Sequence, residues 1–396
     1  MWRNVSSMRA LTDKACRSLL WVMTQAIRHP IPMRGQAGIQ AGVRQGEGSN
    51  LRKAFRIGGQ QVEAGTRRLI DLPVARLSNH APVSLPVHVL HGPQPGPTLF
   101  LSGAIHGDEL NGVEIIRRIL RTLSPANISG TLLCVPVVNA FGFIGRSRYL
   151  PDRRDLNRSF PGSSGGSLAA RLAHLFVNEV VKRCEIGIDL HTAAVHRINL
   201  PQIRCNLKKR PRCRELARAF GPQVILDSPE RSGSLRRAAR EHDCDVLVYE
   251  GGQGLRFDEF AIAAGVDGVA GVMLSTGMLE LPEGVAGVSR RTPVEPIIAN
   301  ASRWVRAPEG GVWRTSRRIG DAVAAGEIVG HVANPFEDID VEVRASHRGI
   351  IIGATTLPIV NMGDALFHLA WAAEMSDKTG VRETGAEPLM DEDEII

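Results

Sequence analysis

Apolar and polar positions along this chain fall into two textures that meet near Pro293. Upstream, short leucine- and β-branched-rich runs alternate with helical patterns. Residues 66–72 and 83–90 read as strands, and Gly92-Pro93-Gln94-Pro95-Gly96-Pro97 is a cluster of turn signals. Thr98-Leu99-Phe100-Leu101 follows as a buried strand that feeds a turn at Ser102-Gly103. Residues 110–122 predict a helix, because Val113, Ile116, Ile119 and Leu120 recur at the spacing that lines one helical face. A strand over 131–138, a helix over 168–183, a strand over 186–190, a helix over 235–241 and a strand over 246–249 continue the alternation. This is the pattern of an α/β domain, placed at 65–294, with a largely parallel or mixed sheet flanked by helices. Downstream, Gly320-Asp321, Gly326-Glu327, Gly349 and Gly363-Asp364 punctuate short Val-, Ile- and Ala-rich segments, which predicts a small all-β domain over 295–372.

The two ends depart from this pattern. Residues 1–64 lack sustained periodicity and are expected to form a loosely ordered basic arm, with ten Lys/Arg against two Asp/Glu in the first 56 residues. Residues 373–396 form an acidic tail closing on Asp391-Glu392-Asp393-Glu394. The 48 basic and 41 acidic residues leave a net charge of +7, which stems from arginine, since only six residues are lysine. A basic arm can touch nucleic acid, but no aromatics are interleaved with these charges to stack on bases, so nucleic acid is not the expected partner. No apolar run approaches the ~18–20 residues of a membrane helix, which argues against a membrane protein. Six cysteines without a CxxC pair, and no convincing signal peptide, point to buried thiols and a cytoplasmic protein. Cys205 and Cys213 could join His191 around a metal, but their Arg- and Lys-rich surroundings argue against it. A homo-oligomer stays open.

The chemistry concentrates at strand ends. His106 and Glu109 follow the strand at 98–101, His191 follows the one at 186–190, and Glu250 follows the one at 246–249 before the turn Gly251-Gly252. Ligands of open α/β sheets collect where strands end at their carboxyl termini. Two imidazoles and a carboxylate make a three-ligand set suited to a catalytic zinc, with a fourth position for water. Such an ion lowers the water's pKa to about 7 and polarises a carbonyl, and amide hydrolysis then needs a base that also returns the proton to the leaving amine. Glu250 is the natural base, and Asp189, two residues before His191, can orient an imidazole. Each of these residues alone is more often structural or solvated, and HxxE by itself is a weak signal. Their joint placement at three strand ends carries the argument. Asn157-Arg158, ahead of a Phe-Pro-Gly turn, can present a rigid fork to a carboxylate, and Arg148 can stabilise an oxyanion. The plainer reading of residues 148–162 is an arginine-rich surface loop.

The motifs Gly103-Ala104-Ile105-His106-Gly107-Asp108-Glu109, Asp155-Leu156-Asn157-Arg158-Ser159-Phe160-Pro161-Gly162, Asp189-Leu190-His191-Thr192 and Tyr249-Glu250-Gly251-Gly252 resemble, in order and spacing, those of the succinylglutamate desuccinylase/aspartoacylase family, within the zinc carboxypeptidase-like group. The resemblance covers about 100–255, and the β domain extends it to about 370. It implies zinc, one per chain, held by His106, Glu109 and His191, with Glu250 as general base and acid. It also implies substrate binding by Asn157 and Arg158, and help to the transition state from Arg148. Arg236 resembles the position that grips a substrate carboxylate. Compared with aspartoacylase, two extra residues separate Arg148 from the Asn-Arg pair, which makes Arg154 a competitor for its role.

The implied reaction is hydrolysis of the amide of a small N-acylated amino acid or amine, of desuccinylase, deacylase or deacetylase type. The alternatives are a peptide-trimming zinc carboxypeptidase and a non-catalytic zinc- or ligand-binding protein of the same fold. The β domain resembles a lipoyl-type barrel-sandwich, through Gly320–Glu327 and the turn at 358–364. Residues 301–372 contain no lysine, so it is not a carrier. Capping the site or building an oligomer interface are its expected roles.

Overall fold

A computed structural model describes residues 52–280 and 295–372. The expected arm up to residue 51, the segment 281–294 and the acidic tail from 373 lie outside the described residues.

The architecture is mixed α/β around a thirteen-stranded sheet. From one edge inward, the order is Thr66–Arg76, Pro82–His91, Ser129–Val135, Gln94–Gly103, Ile186–Ala193, Asp245–Gln253 and Arg197–Cys205. The four strands from Ser129–Val135 to Asp245–Gln253 are parallel, so their carboxyl ends line up on one side. The neighbours outside this block pair antiparallel. Helices Asn111–Thr122, Pro211–Phe220 and Glu259–Ser275 share one hydrophobic core with one face of the sheet. Helices Leu168–Glu179 and Leu235–Arg240 pack into a second core with the other face. Two-sided cover of this kind explains why the central strands read as unbroken apolar runs.

Most anticipated elements are present, with shifted bounds. In helix Asn111–Thr122 the inward face includes Ile115 beside Ile116, Ile119 and Leu120, whereas Val113 is only half-buried. The helix expected over 168–183 ends at Glu179, and a single 3-10 turn, Val181–Arg183, follows. Order also begins earlier than the pattern suggested. Phe55–Ile57 and Gln60–Val62 form a hairpin across Gly58-Gly59, both at positive φ, as a two-residue hairpin turn requires. Ile57 and Val62 are fully buried, so this part of the expected arm belongs to the core.

Helix Glu259–Ser275 was not anticipated, because its sequence carries little alternation. It is buried on most of its circumference, and its glycines admit neighbours against the backbone: a Cβ at Gly268 would lie 2.1 Å from the Phe220 ring. No helix among the described residues is long and apolar enough to cross a membrane.

The C-terminal strands continue the sheet. Gly349–Thr355 pairs with Arg197–Cys205 through Gly353 opposite Asn199 and Thr355 opposite Arg197. Ala365–Trp371 and Ala301–Arg306 add beyond it. A second sheet, of strands Asp340–Arg344, Ile328–Ala333, Gly311–Arg314 and Ile359–Val360, stacks nearby and shares an apolar cluster with these strands. A further cluster unites Leu200, Val224 and Leu226 with Ala299, Ile350, Ile352 and Ala370. The two parts of the chain therefore share both backbone pairing and core.

Among the described residues, the tryptophans Trp304, Trp313 and Trp371 lie in the C-terminal strands and the helices lie upstream. Ile352→Ala, at a fully buried position of the shared cluster, should cost about 2–4 kcal/mol. Urea unfolding followed by tryptophan fluorescence and by far-ultraviolet circular dichroism should shift together as one transition. Two separated transitions would show that the parts fold independently.

Candidate metal centre and active site

His106 and Glu109 lie in the turn that leaves strand Gln94–Gly103, just before helix Asn111–Thr122. Close packing fixes this turn. A Cβ at Gly107 would lie 1.9 Å from the carbonyl carbon of Gly142, so only glycine lets the loop meet that backbone. The Glu109 backbone N–H closes the turn on the His106 carbonyl at 3.1 Å. His191 sits near the carboxyl end of the adjacent parallel strand, Ile186–Ala193.

These three side chains converge and are almost fully buried. The ring centroids of His106 and His191 are 5.0 Å apart. Glu109 spans them, with Oε1 2.6 Å from His106 Nδ1 and Oε2 2.7 Å from His191 Nδ1. One ligand atom from each residue falls within 4.8 Å of the others, the single such cluster of three or more among the described residues. The outward nitrogens are also held. His191 Nε2 meets Asp189 Oδ2 at 2.7 Å, and Asp155 Oδ1 stands 3.3 Å from His106 Nε2. Asp189 in turn accepts a hydrogen bond from Ser102 Oγ at 2.7 Å. Asp189 on Nε2 orients the His191 ring, as an acid behind a ligating imidazole does. The donor set fits a zinc ion: two imidazole nitrogens and a carboxylate, converging, buried and backed by acids.

Burial alone would push the Glu109 carboxyl up, but His106 and His191 hold it well below the usual carboxylate range. Burial likewise opposes ionisation of Asp155, and His106, Arg148 and Arg158 outweigh it. Arg148 is buried and grips Asp155 Oδ2 through Nε at 3.0 Å and Nη2 at 2.8 Å. Its Nη1 reaches to 3.3 Å from His106 Nδ1 and 3.7 Å from Glu109 Oε1. Arg154, the competitor for its role, is 63% exposed beside Asp152.

Glu250 pairs in parallel register with His191, so both side chains project from the same face of the sheet. Its Oε2 accepts a hydrogen bond from Asn199 Nδ2 at 3.1 Å, and its Oε1 lies 3.9 Å from Arg204 Nε. Asn157 and Arg158 occupy a 3-10 turn bolted to the segment 233–235: Asn157 Oδ1 accepts from Leu235 N–H at 2.9 Å, and Phe160 N–H donates to the Gly233 carbonyl at 2.9 Å. Arg236 follows in the same helix and donates to Ser228 Oγ and to the Pro229 carbonyl. Cys205 and Cys213 lie outside the donor cluster, and burial pushes the Cys205 thiol up to about 12, which disfavours the thiolate a metal needs.

Three residues of this site were missed from sequence. Asp155 was quoted within its motif without a role. Asn199 and Arg204 lie on strand Arg197–Cys205, which was not anticipated; its alternation after His191 was the available signal.

The description "Succinylglutamate desuccinylase/Aspartoacylase catalytic domain" matches residues 95–275, the span that holds every group above. This stretch is thus similar to the catalytic domain of the succinylglutamate desuccinylase/aspartoacylase family. The N-alpha-acetyl-L-2,4-diaminobutyric acid deacetylase of Halomonas elongata is 27% identical over 302 residues, spanning 74% of this chain and 87% of the relative. The fold is similar to that of a succinylglutamate desuccinylase/aspartoacylase from Rhodobacter sphaeroides, with TM-score 0.69, 23% identity, and 82% of this chain and 99% of that one covered. It is equally similar to the product-bound ectoine utilization protein of Ruegeria pomeroyi, with TM-score 0.69, 22% identity and coverage of 83% and 100%.

The acids behind the imidazoles give a direct test. Asp189→Asn should weaken zinc binding about 10- to 100-fold, measured by competition with a chromophoric chelator. Unchanged affinity would remove Asp189 from the metal centre.

Proposed function

We propose that this protein hydrolyses the amide bond of a small N-acylated amino acid or amine, as a zinc-dependent deacylase. The observation that carries this reading is the His106–Glu109–His191 cluster, each imidazole backed by an acid, with Glu250 in register beside it. The relative from Halomonas elongata, a deacetylase of an N-acetylated diamino acid, supports the same class of substrate. The five described cysteines are free and buried, which fits a reducing compartment such as the cytoplasm.

His106, Glu109 and His191 would hold the zinc, whose Lewis acidity acidifies a water and polarises the scissile carbonyl when it is bound. Glu250 takes a proton from the attacking water and delivers it to the nitrogen of the leaving amine, so the departing group leaves neutral. Arg148, anchored on Asp155, presents N–H groups to the oxygen that gains charge as the carbonyl is attacked. Asn157 and Arg158 orient the substrate from the turn at 156–158, and Arg236 offers a cation from the helix bolted to it. Asn199, by donating to Oε2, aims the Glu250 carboxylate.

A panel of N-acetyl, N-succinyl and N-formyl amino acids and diamines tests this reading. Glu250→Gln should lower kcat by about 10²–10⁴-fold at unchanged zinc content. A zinc-loaded wild type that turns over none of the panel would overturn the proposal and redirect the search to peptides.

Asn199→Ala should lower kcat about 10- to 150-fold while KM and zinc content hold, since a hydrogen bond to a charged group is worth about 1.5–3 kcal/mol. A matching loss of zinc would instead make Asn199 a structural residue of the site.

A further inference from the structure

Strand Arg197–Cys205 carries a polar side chain that the fold does not use. Gln202 is fully enclosed, and neither its Oε1 nor its Nε2 has a hydrogen-bond partner. Among the described residues, no other side chain has two buried polar atoms left over in this way. Gln202 lies directly opposite Glu250 across the antiparallel pairing, and opposite Val224 across the parallel pairing on its other side. Residues paired in this antiparallel way project from the same face, with Cβ atoms about 4.5–5.5 Å apart. Along the strand, Leu200 and Arg204 are the neighbours on that face. Arg204 has a buried Nε that is likewise unpartnered, and it stands 3.9 Å from Glu250 Oε1, too far for a direct hydrogen bond.

An apolar side chain at position 202 would pack against Val224 and Leu200 at no polar cost. A buried amide without partners gives up its hydration and gets nothing back. Buried polar atoms are nearly always satisfied, by protein or by ordered water. Here the atoms to be satisfied are two donors, Arg204 Nε and Gln202 Nε2, and an acceptor, Gln202 Oε1. Glu250 Oε1 stands beside them as a second acceptor, and a carboxylate oxygen takes more than one hydrogen bond. Water, which gives two hydrogen bonds and takes two, is the complement of this set. A substrate group has no route to a side chain with no exposed surface, whereas a single water with two to four polar partners is an ordinary part of a protein interior. A polar spacing just beyond hydrogen-bond length, as between Arg204 and Glu250, is where a bridging water is expected.

We propose that buried water joins Gln202 and Arg204 to the Glu250 carboxylate, and that Gln202 is thereby a positioning residue for the proposed base. This rests on the hydrolase reading above. Across the sheet the order is Gln202, Glu250, His191, so this water lies on the far side of the base from the metal ligands and is not the attacking one. It donates to Glu250 while the carboxylate is ionised. Once Glu250 has taken a proton from the attacking water, the bridging water turns and accepts from the carboxyl O–H. Gln202 suits both orientations, because its amide offers a donor and an acceptor. The bridging water neither gains nor loses a proton, and Glu250 passes the one it holds to the leaving nitrogen.

The test pairs crystallography with kinetics on the zinc-loaded protein, using Gln202→Met, which keeps the length of the side chain and removes its polar atoms. A high-resolution structure of the wild type should show water within about 3.2 Å of both Gln202 and Glu250, and the variant should lack it. On the fastest substrate among the N-acetyl, N-succinyl and N-formyl compounds, Gln202→Met should lower kcat about 3- to 10-fold at unchanged KM and zinc content. Its urea midpoint should be no lower than that of the wild type, since no satisfied group is lost to the fold. Gln202→Asn, which keeps the amide, should recover part of the rate. A wild-type site with no water would overturn the inference, as would an unchanged kcat in Gln202→Met. A loss of kcat that tracks lost zinc or a lowered urea midpoint would make Gln202 structural and overturn it too. If the wild type hydrolyses none of the substrates, the hydrolase reading fails and the two crystal structures decide alone. Water lost only in the variant would then sustain the site, and a dry wild type would end it.

Discussion

Glu109 carries a negative charge into a site that is 3% exposed, and the rest of the molecule is organised around keeping it there. An isolated buried carboxylate costs several kcal/mol in lost hydration and would simply take up a proton. Glu109 avoids this because each oxygen faces an imidazole nitrogen at 2.6–2.7 Å, and the Thr192 backbone N–H adds a donor at 3.2 Å. The imidazoles can do this only while Asp155 and Asp189 hold their far nitrogens, and those acids need Arg148 and Ser102 in turn. Ser102 and Asp189 are cross-strand partners in the parallel sheet, so the strand register itself sets the last link. A slip of one residue would send Asp189 and His191 to the opposite face and dissolve the cluster.

Strand Arg197–Cys205 does for the proposed base what the parallel strands do for the metal ligands. It pairs with Glu250's strand on one side and with Gly349–Thr355 on the other. Asn199 occupies the junction: it donates to Glu250 and stands opposite Gly353, where a Cβ would lie 3.0 Å from its own Oδ1. The Arg197 guanidinium lies over the Trp304 ring at 4.9 Å, and that ring stacks on His368, so the strands beyond Gly349–Thr355 also reach the start of this strand.

How far the sequence could be read followed from how local each signal was. The strands at 98–101, 186–190 and 246–249 were legible because two-sided burial leaves an unbroken apolar run, and the groups at their ends were legible because a catalytic pattern sits at a fixed offset from each. His106 and Glu109 are joined by a three-residue turn, the kind of contact that spacing reports. Asp155 was not legible as a partner of His106, since 49 residues and a change of element separate them and nothing periodic connects the two. Strand Arg197–Cys205 was hard to read because the alternation begun at Ile198 and Leu200 is interrupted at Gln202 and resumes out of step at Ile203 and Cys205. Helix Glu259–Ser275 failed for the opposite reason, because burial on most sides erased its polar stripe.

The His106, Glu109 and His191 cluster sits on turns and strand ends fixed by the core between parallel strands, and little about it can vary without losing Glu109. The residues proposed to meet the substrate lie elsewhere, on the turn at 156–158 bolted to helix Leu235–Arg240. The family match ends at residue 275, yet strand Gly349–Thr355, which fixes Asn199 from outside, lies well beyond it. A change among the C-terminal strands therefore reaches Glu250 through one backbone pairing and one hydrogen bond, without touching any metal ligand. The β extension is thus coupled to the base by geometry, which a cap lying loosely over the site would not be.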